Sequence, residues 1–141
     1  MLRLIVGLML ALPLVPLANA IAQDKEPPAA KEDTAEVLAL KAYETLKAHL
    51  QAQAVKQAAV NGLANMQVKQ IARTGPSQAK LTLSRLDSAT GDSLIVTLYF
   101  THYDRSWTVS RIEWSSNSRD LDRLRLDHQL RGLVADLEIG Q

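Results

Sequence analysis

The stretch "LTLSRLDSATGDSLIVTLYFTHYDRSWTVSRIEW", residues 81–114, decides the fold. It holds three runs in which apolar and polar residues alternate. Turn-forming clusters separate them: "DSATGD" at 87–92 and "YDRS" at 103–106. Upstream, "TGPS" at 74–77 is a third such cluster. Alternation with period two, cut by Gly, Pro, Asp and Ser, is the signature of strands joined by hairpins. Strands are expected over about 66–73, 79–86, 93–102 and 107–115.

A register follows if each turn closes with an even number of loop residues. Arg73 then pairs with Gln78, Asp87 with Asp92 and His102 with Trp107. Counting back sets Val68 against Leu83, Leu83 against Val96, Leu81 against Leu98 and Phe100 against Val109. The last run changes parity, because Trp107 and Val109 are odd while Ile112 and Trp114 are even. One β-bulge near Ser110-Arg111 restores agreement, since a bulge adds one residue to its strand. Ile112 then meets Leu98, and Trp114 meets Val96. Met66, Val68, Ala72, Ala79, Leu81, Leu83, Leu94, Val96, Leu98, Phe100, Trp107, Val109, Ile112 and Trp114 thereby share one face. A slip of one residue would send a whole strand's apolar set to water. The opposite face is mostly Gln, Lys, Thr and Ser. Its exceptions are Ile71, Ile95, Tyr99 and Tyr103, with Ile71, Lys80 and Tyr99 expected in one cross-strand row.

Helices are expected on both sides of this meander. From a cap at Asp33 or Thr34 to about Asn61, the chain is rich in Ala, Leu, Lys, Gln and Glu. Ala39, Tyr43, Leu46, Leu50 and Ala54 recur at spacings of three and four, and Asn61-Gly62 is a stop signal. His49 falls off that stripe and is read as solvated. The second helix is expected from a cap at Asn117 or Ser118. Its stripe is Leu126, Leu130, Leu133, Val134 and Leu137, with Asp127 and Arg131 as a helix-spaced ion pair. Gly132 weakens the middle of this helix. The fold class is therefore α+β: an N-terminal helix, a four-stranded antiparallel meander and a C-terminal helix, with both helices on one face of the sheet. A long helix followed by a curved antiparallel sheet resembles the cystatin-like and NTF2-like architectures in shape, with no shared motif.

Residues 1–20 read as a secretory signal peptide. Arg3 precedes the apolar run "LIVGLMLALPLVPL", and "ANA" at 18–20 is a small-x-small cleavage site. Pro13 and Pro16 argue against a straight spanning helix, although a retained anchor is the alternative. Residues 21–33 read as a flexible linker, and 34–141 as a single α+β domain. Cleavage after Ala20 removes Arg3, so the 15 acidic residues are matched by as many Lys and Arg. A neutral chain has no general field for nucleic acid or anionic lipid, and no membrane insertion is expected after cleavage. The chain has no cysteine, which excludes disulfides, thiolate metal sites and cysteine nucleophiles. A periplasmic or secreted domain of this kind must rest on its hydrophobic core alone.

Motifs for chemistry are sparse. His102 and Asp104 lie two apart beside Ser106, yet a triad needs its base to bridge groups from separate positions, and Asp-Arg-Ser is ordinary turn chemistry. His49, His102 and His128 lie on separate elements, and no spacing calls for a metal or cofactor. Asp87 and Asp92 lack the alternating acids of a calcium loop and read as a solvated turn. The expected function is that of an exported, non-enzymatic binding or accessory protein of an envelope complex. It would act through Ile71, Ile95, Tyr99 and Tyr103 on the exposed sheet face, toward a protein partner or a second copy. A second reading is a small-ligand domain, with a pocket between the sheet and the first helix lined by Tyr43, Phe100, Trp107 and Trp114. A third is a small hydrolase or isomerase using His102 and Asp104.

Overall fold

The structure is a computed structural model, described here for residues 34–140. The leader and linker readings lie outside the described residues. Six elements follow in order: α1 (Ala35–Val60), β1 (Gln67–Gly75), β2 (Gln78–Leu86), β3 (Ser93–Tyr103), β4 (Ser106–Ser116) and α2 (Arg123–Leu137). The strands form one antiparallel sheet in the order β1-β2-β3-β4. Both helices contribute to a single core over one face, and none of the described helices is long and apolar enough to cross a membrane.

The hairpins β2–β3 and β3–β4 have the register that the alternation requires. Leu81 faces Leu98, and Leu83 faces Val96. Phe100 faces Val109, Leu98 faces Ile112 and Val96 faces Trp114. The register shifts opposite Tyr99 and Phe100, leaving Ser110 as the extra residue of a bulge. Its hydroxyl donates to the Tyr99 carbonyl at 3.2 Å and tethers the bulge.

The β1–β2 hairpin differs from the expectation. Gly75, not Arg73, pairs with Gln78, so Pro76-Ser77 alone make the loop. Proline fixes φ near its turn value, which favours the tighter closure. Two register shifts, between Val68 and Gln70 and between Arg73 and Gly75, then give back the two residues gained. Val68 still meets Leu83, but Ile71 now faces Leu81 and Ala72 faces Lys80. Ile71 therefore belongs to the covered face and packs against the core, while Ala72 takes its place in the row with Lys80 and Tyr99. Bulges concentrate on edge strands, and β1 is one.

The first helix buries Tyr43, Leu46, Leu50, Ala54 and Ala58. Its end is a Schellman turn: Leu63 N–H donates to Ala58 O at 2.7 Å and Gly62 N–H to Ala59 O at 3.2 Å. Gly62 sits at φ +85°, where a side chain is strained. Leu63 and Met66 continue the core beyond the turn. His49 is half-buried rather than solvated, and its Nε2 has no hydrogen-bond partner.

The second helix starts later than expected. Its cap is Asp122, whose Oδ1 accepts from Leu124 N and Arg125 N at 3.1 and 3.2 Å. Asn117 is used elsewhere: its Oδ1 accepts from Ser93 N at 2.7 Å and its Nδ2 donates to Gly91 O at 3.1 Å. The side chain that was to cap a helix instead ties the β4–α2 connection to the β2–β3 loop. Leu126, Leu130, Leu133 and Leu137 are buried as their spacing requires. Asp127 and Arg131 pair at 2.7 Å, and the hydrogen bond, then the charge, raises the guanidinium pKa. Gly132 has a structural reason: a Cβ there would collide with Asn61 Oδ1. Asn61 in turn donates to Asp136 at 2.7 Å and to Gln57 O at 2.9 Å, so Gly132 marks a close approach of the two helices.

Candidate functional site

The open face of the sheet is the first candidate. Thr82, Thr97 and Glu113 form one row across β2, β3 and β4, and Lys80, Tyr99 and Arg111 form the next. Arg111 lies over the Tyr99 ring at 4.1 Å and pairs with Glu113 at 3.2 Å, while Tyr99 Oη donates to Glu113 at 3.1 Å. This three-residue cluster explains why a tyrosine is tolerated on a wet face: the guanidinium covers the ring and the carboxylate takes its hydroxyl. Ile95 and Tyr103 are not covered in this way; they are 46% and 80% exposed. Of the four residues expected on this face, Ile95, Tyr99 and Tyr103 share it, and Ile71 does not, because the β1 bulges turn it to the core.

The hairpin tip is the second candidate. Asp104 and Arg105 have φ of 52° and 68°, the left-handed pair of a type I′ turn. Ser106 Oγ donates to the Tyr103 carbonyl at 3.1 Å, which engages it in the turn. His102 packs on Trp107 with ring centroids 4.9 Å apart. Serine and histidine thus each have a structural partner within the hairpin. Among the described residues, no three His, Cys, Asp or Glu side chains gather as a metal site.

The four aromatic residues of the pocket reading do not converge. Tyr43, Phe100 and Trp107 are buried among core residues. Trp107 Nε1 donates to Ala42 O at 3.2 Å, which pins α1 onto the sheet. Trp114 is seven residues further along β4, a rise of about 20 Å in an extended strand. There it is half-buried, with the Arg123 guanidinium 5.0 Å from its ring. Trp114 therefore packs under α2 at the other end of the sheet.

A third feature is absent from the sequence expectations. Arg85 pairs with Leu94 and follows Ala79, Leu81 and Leu83 on the covered side of β2. It is half-buried and lines a cleft of about 570 Å³ with Asp87, Asp92 and Leu121. The signal was legible: in "AKLTLSRL" the alternation that places Leu81 and Leu83 inward places Arg85 inward as well. No family model, curated protein or solved structure matches this chain.

Proposed function

We propose that this chain is a binding domain of the cell envelope, exported by the leader read in residues 1–20, which presents the open sheet face to a protein partner. The observation that carries the reading is that Ile95 and Tyr103 stand exposed on a face whose other members are mainly hydroxyls. Arg111 and Glu113 neutralise each other there, so hydrogen bonding and aromatic contact, rather than a strong field, would select the partner. Four strands about 4.8 Å apart and about 30 Å long give roughly 600 Å² before side-chain relief, near the roughly 800 Å² that one partner contributes to a stable interface.

Photo-crosslinking tests this in the cells that make the protein. A crosslinker at Thr97, on the open face, is compared with one at Gln51, on the exposed side of α1. The expected result is one discrete adduct from position 97, none from position 51, and loss of that adduct in Tyr103→Glu. An adduct of twice the chain's mass would identify the partner as a second copy and overturn the hetero-complex. Equal crosslinking from both positions, or none from 97, would overturn the use of this face altogether.

A further inference from the structure

The covered face of the sheet is sealed at one end and open at the other. At the open end, α1 has already turned at Gly62, and α2 begins only after Asp122. Three connections border the resulting cleft: Gly62–Asn65 after α1, the loop between β2 and β3, and the chain from Ser116 to Leu121. Arg85 reaches it from the floor of the sheet, and Asp87 and Asp92 reach it from the mouth of the hairpin.

The charges in this cleft are not spent on each other. The Arg85 and Asp92 side chains make no hydrogen bond or ion pair with any described residue. Both are half-buried. Asp87 uses only Oδ1, which accepts from Ala89 N and Thr90 N. Half-buried charges that no neighbour neutralises keep their hydrogen-bonding capacity for a ligand. The unpaired state is what a site for an oppositely charged ligand requires.

The lining also restricts the ligand. A simple anion would meet Arg85 but also two carboxylates. A simple cation would meet two carboxylates but also the guanidinium. A ligand with both charges satisfies all three, its carboxylate on the Arg85 fork and its ammonium between Asp92 and the free oxygen of Asp87. We infer that this cleft binds a small zwitterion, of the class of a free α-amino acid or the paired charges of a very short peptide. The site lies on the covered side of the sheet and is independent of the open-face reading.

Titration of the full chain with alanine, dialanine, acetate and methylamine tests it, followed by calorimetry and by amide chemical shifts at 62–65, 85–93 and 116–121. The expected result is saturation by alanine or dialanine with a Kd near 1 mM or below, and binding about tenfold weaker for acetate and methylamine, a difference of about 1.4 kcal/mol. Arg85→Met and Asp92→Asn should each abolish saturation while the unfolding midpoint stays the same or rises. Arg85→Lys, which keeps the charge and loses the fork, should weaken binding without removing it. Acetate binding as tightly as alanine would overturn the zwitterion in favour of a plain anion site. No saturation by either zwitterion at about 50 mM, some fifty times the expected Kd, would overturn the site. Undiminished binding in Arg85→Met would overturn the assignment of Arg85.

Discussion

The two ends of the covered face contrast in what closes them. At one end Trp107 is buried, its indole held by Ala42 and its backbone N–H donated to Ile139 O at 2.7 Å. Glu138 adds a carboxylate oxygen 2.6 Å from Val109 N, so the chain after α2 folds back onto the edge of β4. At the other end the connection after β4 is held to Ser93 and Gly91 by Asn117 and packs Leu121 against the core, but Arg85 stands on the covered side beyond Leu83 with no partner among the described residues. One end is finished by apolar area and paired backbone groups, the other by unpaired charge. The difference teaches where stability and binding divide in a small domain without disulfides. The sealed end holds the fold, and the open end is free to carry a ligand.

Substitutions can break or sharpen this contrast. Trp107→Ala should have the largest effect, destabilising by about 3–5 kcal/mol, because it empties a buried indole site and frees the Ala42 carbonyl. Denaturant unfolding measures it, and a loss below about 1 kcal/mol would show that the sealed end does not hold the fold. Gly132→Ala should cost about 1–2 kcal/mol despite the better helix propensity of alanine, since the new methyl displaces Asn61 and its bonds to Asp136 and Gln57. A stabilised variant would mean that the helices can separate there freely. Glu138→Ala should cost about 1 kcal/mol by leaving Val109 N–H without its acceptor, and hydrogen exchange at Val109 should quicken. Arg85→Leu, at the open end, should change stability by no more than about 0.5 kcal/mol and in the favourable direction. A marked destabilisation would show that Arg85 is structural and would remove the contrast.

Residues 78–116 were legible because their alternation is redundant. Leu81, Leu83, Val96, Leu98 and Ile112 each constrain the same register, and only one bulge, at Ser110, reconciles them. Register does not guarantee burial, however: Ile112 faces Leu98 as expected yet remains 36% exposed. β1 was less legible. "QVKQIARTG" has few apolar residues, so two bulges could turn Ile71 inward without leaving a local trace. Asn117 satisfied the rule for a helix cap, but it is the β2–β3 loop that supplies its partners.

By itself the sequence determined the element order, the pairing of β2, β3 and β4, and the apolar stripes of both helices. These depend on periodicity and turn chemistry, which act between neighbours in the chain. Only the tertiary structure decided that Ile71 faces the core, that Gly132 lies against Asn61, and that Arg85 and Asp92 share a cleft without pairing. Those outcomes depend on which distant segments meet and which stop short: Asn61-Gly62 marks where α1 ends, but no local pattern encodes which strand positions that end leaves uncovered.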